Sequence, residues 1–306
     1  MARIVFMGTP DFAVPVLEQL IRHHDVIGVV TQPDRPAGRR QQLQPPPVKN
    51  VAQRHNIPVF QPEKVRRPDA ADDLRALAPE LFVVAAFGQI LPQAVLDIPT
   101  RGAINVHASL LPRWRGAAPI QAAIRAGDRE TGVTIMLMDA GLDTGPMLSQ
   151  RAIPIAPNET GQSLHDKLAL LGADLLIETL PGYLDGAITA RPQDDTRSTY
   201  APMIKKEEGH IDWRQSAVAI ERLVRAFNPW PGAYALWNGQ ALKFHSGAVG
   251  AGTAPPGTVV LQGEQVAVGT GDGLFYPLML QLAGRGPLSI ADFVRGRQEF
   301  VSSQLK

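Results

Sequence analysis

The run Leu81-Phe82-Val83-Val84-Ala85-Ala86-Phe87, set between Pro79 and Gly88, decides the fold. It carries no polar side chain on either face, and reads as a central strand of a parallel sheet covered by helices on both sides. Working upstream, Ile4-Val5-Phe6 closes on Gly8-Thr9-Pro10, a strand ending in a turn. Asp11 stands where it can cap a helix, whose Val14, Leu17, Leu20 and Ile21 recur at helical spacing. A strand at 26–30, a polar Pro-rich loop at 32–47, a helix at 48–55 and a strand at 57–60 follow. Downstream, strands at 103–106 and 133–138 flank a helix at 119–126, and a last helix at 163–184 carries Leu164, Leu168, Leu171, Leu175 and Leu180 as one stripe. This alternation predicts a doubly wound, mostly parallel α/β domain of Rossmann-like type over residues 1–188, with right-handed crossovers.

The texture changes near Ala187. Residues 189–205 are rich in Arg, Asp, Thr and Pro, lack an apolar period, and read as a linker. An amphipathic helix bearing Ile220, Leu223, Val224 and Phe227 opens a second domain over 206–306. Beyond it come short strands at 234–237, 241–245, 257–261, 265–268 and 275–282, separated by Gly and Pro, the pattern of a small OB-like β-barrel. Phe227, Trp230, Tyr234 and Trp237 are expected mainly as barrel core.

Composition narrows the function classes. The 306 residues are 44% hydrophobic and 19% charged, an ordinary globular profile. A net charge of +1 leaves no bulk electrostatic grip on nucleic acid, so any such contact needs local clusters. Without cysteine there are no disulfides, thiolate metal sites or cysteine nucleophiles. The seven histidines lack metal-ligand spacing, and no metal is expected. Met1 leads straight into a strand and no apolar run is long enough to span a bilayer, so a cytoplasmic protein without membrane partner or targeting segment is expected.

Several familiar motifs are missing: no G-x-G-x-x-G follows the first strand, and there is neither a P-loop nor a nucleophile elbow. One constellation remains. Asn105 and His107 are two apart at a strand end, so their side chains leave the same face. Carboxyl ends of strands are where open α/β sheets hold ligands. The next strand ends near Met138, and Asp143 lies on the loop Asp139-Ala-Gly-Leu-Asp-Thr-Gly-Pro146 that leaves it. An amide, an imidazole and a carboxylate meeting there would suit addition of an amine to a carbonyl, with one group moving a proton and donors holding the oxyanion. The same three residues could equally cap a strand end and close a Gly-flanked turn.

The stretch from Asn105 to Pro119, with Gly141 to Gly145, resembles the folate-dependent formyltransferase superfamily, whose pattern is N-x-H-x-S-L-L-P and later an Asp before Thr-Gly. Gly8-Thr-Pro-Asp-Phe12, Thr31-Gln-Pro-Asp-Arg-Pro-Ala-Gly-Arg39, Glu130-Thr-Gly-Val-Thr-Ile135, Glu207-Glu-Gly-His-Ile-Asp-Trp213 and Arg225-Ala-Phe-Asn-Pro-Trp-Pro231 are similar to the methionyl-tRNA formyltransferase family. The resemblance covers essentially the whole chain. It implies formyl transfer from 10-formyltetrahydrofolate to the α-amine of methionine on initiator tRNA; a monomer is expected. Asn105, His107 and Asp143 would be catalytic, the first two hydrogen-bonding the formyl oxygen and Asp143 orienting or charging His107 and helping to move the proton. Ser109, Leu110, Leu111 and Pro112 would border the folate, with Phe87, Gly88, Ile90 and Leu91 adding an apolar wall and backbone groups. Arg35, Arg39 and Arg40 on the Pro-rich loop, and Lys205 and Lys206, would meet the tRNA. Gln41, Gln42 and Met203 stand where the family often has lysine. Other amine acceptors, such as a nucleotide-linked amino sugar, would use the same three polar residues, and a non-catalytic RNA-binding protein could share the fold.

Overall fold

In the computed structural model, which describes residues 1–37 and 42–306, β1 (Arg3–Gly8) leads through α1 (Ala13–His23) to β2 (Asp25–Val30), parallel to it. Part of the segment expected as loop is a hairpin of β3 (Arg35–Ala37) and β4 (Gln42–Gln44). Next come α2 (Pro47–Arg54), β5 (Val59–Phe60), α3 (Pro68–Ala76), β6 (Leu81–Ala85), α4 (Gln93–Leu96) and β7 (Ala103–His107). Then follow β8 (Arg115–Gly116), α5 (Pro119–Ala126), β9 (Glu130–Leu137), β10 (Met147–Pro154), α6 (Gly161–Leu184) and β11 (Tyr200–Ala201). The main sheet has the order β10-β9-β7-β6-β1-β2-β5. β6 sits between β1 and β7 with all its residues buried, as a strand apolar on both faces must be.

The five strands from β5 to β7 are parallel, but β9 runs antiparallel to β7, and β10 antiparallel to β9. The doubly wound, mostly parallel fold is therefore present, with an antiparallel edge that the strand pattern did not reveal. The described residues divide into two compact units. The first comprises Met1–Pro119, Glu130–Pro154 and His165–Ala201; the second, Ile120–Arg129, Ile155–Leu164 and Pro202–Lys306. The segment read as a linker is hydrogen-bonded along much of its course within the first unit: Arg191 exchanges backbone bonds with Met147, and β11 pairs with β8.

In the second unit Ser216 caps α7 (Ala217–Ala226) by accepting from the Ala219 N–H. The strands β12 (Ala233–Trp237), β13 (Gln240–Gly250), β14 (Val259–Gln262), β15 (Gln265–Gly269) and β16 (Leu274–Leu282) form an antiparallel sheet in the order β12-β13-β16-β15-β14. β17 (Leu288–Ser289) pairs with β16 and leads into α8 (Ile290–Arg295). Residues 302–306 bridge the two sheet edges: Lys306 exchanges backbone bonds with Leu236 on β12, while Ser302 and Ser303 bond Val259 on β14. That tail thus bonds one residue on each edge strand of the antiparallel sheet. Inside, Trp213, Phe244 and Phe275, and separately Trp237, Phe293 and Phe300, stack largely edge to face. Phe227 and Trp237 are core as expected, but Trp230, between two prolines, is 56% exposed. No helix among the described residues is long and apolar enough to cross a membrane.

Candidate functional site

β7 presents Asn105 and His107 on one face, and His107 is almost fully buried. The route by which Asp143 reaches them differs from the expectation. Because β9 is antiparallel, its last residue, Leu137, pairs with Ile104 at the start of β7, while His107 pairs with Thr134. The loop after β9 thus leaves beside the wrong end of β7 and folds back to the two side chains. Asp139 Oδ1 braces that fold by accepting from the Gly141 N–H (3.0 Å) and the Thr144 hydroxyl (2.7 Å). Close packing explains two glycines: a Cβ on Gly141 would lie 1.9 Å from Thr144 Oγ1, and one on Gly145 1.9 Å from the Leu137 carbonyl. Asp143 sits at φ +52°, a left-handed conformation that costs an L-residue about 1–2 kcal/mol and must be held by its contacts.

Those contacts are specific. Asn105 Nδ2 donates to Asp143 Oδ1 (3.2 Å), and the Gly116 N–H donates to Asp143 Oδ2 (2.8 Å). Asp143 Oδ2 lies 3.7 Å from His107 Nδ1, an electrostatic neighbour rather than a hydrogen-bond partner. On the other side of the ring, His107 Nε2 is 2.9 Å from the Trp114 carbonyl. A carbonyl oxygen only accepts, so Nε2 carries the proton and Nδ1 of the neutral ring is bare. The Asn105 amide keeps a second hydrogen, with no protein acceptor among the described residues. Trp114, also left-handed at φ +61°, is held by its own N–H donating to Thr199 Oγ1 (2.8 Å). The three polar residues thus form one cluster: an amide with a spare donor, an imidazole with a free acceptor, and a carboxylate behind both.

The residues expected around the folate divide into supports and surface. Ser109 is buried, its hydroxyl donating to the Arg113 carbonyl (2.6 Å), and the buried Leu111 donates its N–H to Thr134 Oγ1. Leu110 and Pro112 remain partly exposed. After β6, the side chains of Phe87 and Leu91 enter the hydrophobic cluster around Val5, Met7 and Phe82, and so anchor this loop to the core. The Phe87 carbonyl is taken by Thr9 Oγ1 (3.0 Å) and Gln32 Nε2 (3.2 Å). Gly88, at φ +82°, and Ile90, 80% exposed, are what the loop offers outward.

Among the expected tRNA contacts, Arg35 on β3 is exposed and pairs with the equally exposed Glu63 (3.0 Å). Arg39 and Arg40 lie outside the described residues. Lys205 and Lys206 are exposed at the start of a 3-10 turn of the second unit. At the base of the Arg35 loop, hydrogen bonds from Gln61 and from Lys49 hold the Asp34 carboxyl below the usual carboxylate range. Sequence reasoning missed Gly116, Gln193 and Thr199. Gly116 sits inside the quoted motif and its φ of +110° is a glycine signature; the other two occupy a polar stretch with no periodic signal.

Comparison with known proteins identifies the family. Residues 2–180 match the family described as formyl transferase, and residues 203–298 match the formyl transferase C-terminal domain. The methionyl-tRNA formyltransferase of Geobacter sulfurreducens is 55% identical over 296 residues, covering 96% of this chain and 93% of that one. Two solved structures share the fold at low identity. The N-formyltransferase from Helicobacter canadensis, in complex with folinic acid and dTDP-3-aminofucose, has a TM-score of 0.66 at 20% identity, over 90% of this chain and 99% of that one. HypX from Aquifex aeolicus, in complex with tetrahydrofolic acid, has a TM-score of 0.62 at 19% identity, over 98% of this chain and 47% of that one. With both domains matched in order and so close a relative along nearly its whole length, the chain belongs to the methionyl-tRNA formyltransferases of the formyl transferase family.

Proposed function

We propose that this enzyme transfers the formyl group of 10-formyltetrahydrofolate to the α-amine of methionine on initiator tRNA, in the cytoplasm, giving N-formylmethionyl-tRNA for translation initiation. The observation that carries this reading is the convergence of Asn105, His107 and Asp143, in a chain 55% identical to a methionyl-tRNA formyltransferase. When bound, the folate supplies an activated formyl group. Ile90, Gly88, Leu110 and Pro112 would hold it, with Phe87, Leu91, Ser109 and Leu111 stiffening the segments that carry them. The free hydrogen on Asn105 Nδ2 donates to the oxygen that gains charge as the amine adds. A free α-amino group titrates near about 8, so a large share is nucleophilic at neutral pH without activation. His107 Nδ1, bare because Nε2 is committed to Trp114, takes the amine's proton and passes it to the folate nitrogen as the bond from that nitrogen to the formyl carbon breaks and tetrahydrofolate leaves. Asp143 stabilises the resulting imidazolium across 3.7 Å and aligns Asn105. This assigns the proton to His107 and the oxyanion to Asn105, rather than giving both residues the oxyanion.

The test is an acceptor comparison: the protein with formyl-folate and charged initiator tRNA, charged elongator tRNA, a nucleotide-linked amino sugar, or no acceptor. Formylation of the charged initiator alone is expected, and preference for the amino sugar would overturn the reading. Asn105→Ala, His107→Ala and Asp143→Ala should each lower turnover by at least about 10², with folate affinity nearly unchanged.

A further inference from the structure

We infer that Gln193 is a positioning residue of the active site, acting through Asp143; this rests on the role proposed above for that carboxylate. The Gln193 carboxamide uses every bond it can make. Its Nε2 donates to the backbone carbonyls of Asp143 (2.8 Å) and Gly145 (2.8 Å). Its Oε1 accepts from Arg115 Nε (3.0 Å) and from the terminal nitrogen of the same guanidinium (2.8 Å). Two donors and two lone pairs are the whole capacity of an amide. The orientation is also unambiguous, because carbonyls only accept and a guanidinium only donates. Glutamate could serve Arg115 but not the two carbonyls, whereas lysine could serve the carbonyls but not Arg115.

These bonds close a ring. Arg115 immediately precedes Gly116, whose N–H holds the Asp143 carboxylate. Asp143 is therefore gripped at its side chain by the backbone of β8, and at its backbone by a side chain anchored on the same β8. Asp195, 2.6 Å from Arg115, steadies the guanidinium from the far side. The residue so gripped is held in a left-handed conformation, which would relax if the carbonyl contact were lost. Relaxation would shift the carboxylate relative to His107 Nδ1 and Asn105 Nδ2. Misplacement of a catalytic group by about 1 Å can cost about 10²-fold in rate without touching the bound substrate. The segment that carries Gln193 also holds the other partner of His107: Thr199 accepts from the N–H of Trp114, whose carbonyl fixes the imidazole.

The experiment is single-turnover formylation of charged initiator tRNA by wild type, Gln193→Ala, Gln193→Glu, Asp143→Ala and the Gln193→Ala/Asp143→Ala double variant, with melting temperatures measured in parallel. Both Gln193 variants should lose at least about tenfold in the chemical step, with apparent affinities for folate and tRNA within about twofold. Gln193→Glu, nearly isosteric and still paired with Arg115, should stay folded and show the loss all the same. In the Asp143→Ala background the Gln193→Ala loss should shrink below about twofold, since residues that act as one unit are not additive. Wild-type rate in Gln193→Glu, or an equal Gln193→Ala loss with and without Asp143, would overturn the inference. Full turnover in Asp143→Ala would instead remove the proposed role of the carboxylate itself, so the two failures are distinguishable.

Discussion

The loop after β9 and the loop after β2 both belong to the first unit, yet they spend their polar atoms differently. In the first, bonds are spread along the whole length. Asp139 braces Gly141 and Thr144, Asn105 and Gly116 hold the Asp143 carboxylate, and Gln193 holds the Asp143 and Gly145 carbonyls. In the second, side-chain bonds gather at the base. Gln61 Nε2 donates to the Gln32 carbonyl (2.9 Å) and to Asp34 Oδ1 (2.7 Å), while Lys49 Nζ reaches both Asp34 oxygens (2.9 Å). Beyond that base, the Arg35 side chain pairs with the exposed Glu63, and Leu43 on β4 is 68% exposed. A loop that places a carboxylate for proton transfer must hold it within about 0.5 Å. A loop that presents cations to a polyanion needs a firm root and an accessible tip, because phosphate attraction tolerates small displacements.

The sharpest way to break this contrast is at Gly145. An alanine Cβ there would overlap the Leu137 carbonyl, a backbone atom of β9 that cannot turn aside. Gly145→Ala should displace the returning limb of the loop, lower turnover by at least about 10², and cost about 1–3 kcal/mol of stability as overpacking does. Initial rates and denaturant melts of the variant check both. Near-normal turnover would show that the site tolerates a displaced loop.

How much of this could be read beforehand depends on whether the information was local. Gly141, Asp143 and Gly145 mark a tight polar turn by residue type, so the turn and its carboxylate were legible. The direction of the strand before it was not. The buried β9 looks alike whether parallel or antiparallel, and the side-by-side placement of Asp143 with Asn105 was inferred from the wrong direction. The edge strand β10 escaped because Ser149-Gln150-Arg151 interrupts its apolar residues and none of its residues is fully buried. Gln193 escaped because its partners are two carbonyls and a guanidinium far off in sequence, and nothing in Arg191-Pro-Gln-Asp-Asp encodes them. In the second unit aromatic spacing pointed correctly to a packed core at Phe227 and Trp237. Trp230 departs from it because the prolines on either side hold the chain out of the strand pattern.

A smaller effect is expected at the accessible end of the second loop. The Arg35–Glu63 pair is exposed on both sides, a class worth about 0–1 kcal/mol. Arg35→Ala should therefore leave the melting temperature nearly unchanged. If Arg35 serves tRNA through a phosphate, the variant should bind charged tRNA more weakly and its log affinity against log salt should be shallower by about one unit. An unchanged slope would restrict Arg35 to its partner Glu63 and narrow the loop's role to the residues beyond it.

The smallest effect probes the root of that loop. Hydrogen bonds from Gln61, and then from Lys49, depress the Asp34 carboxyl, so the folded state favours the ionised form more than the unfolded chain does. Such a group contributes its stability in full above the unfolded carboxylate value of about 4, and loses it as pH falls through the lower folded value. Asp34→Asn keeps an oxygen for Gln61 but gives up the charge facing Lys49. The variant should melt below wild type at pH 6 and 5, and the gap should close as pH drops under about 4, where the wild-type carboxyl takes up its proton. Glu178, Asp194 and Asp212 are also held low by their own partners, so the wild-type acid profile alone cannot isolate Asp34. Subtracting the variant's melting curve from the wild type's at each pH removes those shared contributions. A gap that stays constant down to pH 3 would mean that shape, not charge, holds the root. The root would then owe its hold to the geometry of its hydrogen bonds, and the contrast between the two loops would reduce to where their bonds lie.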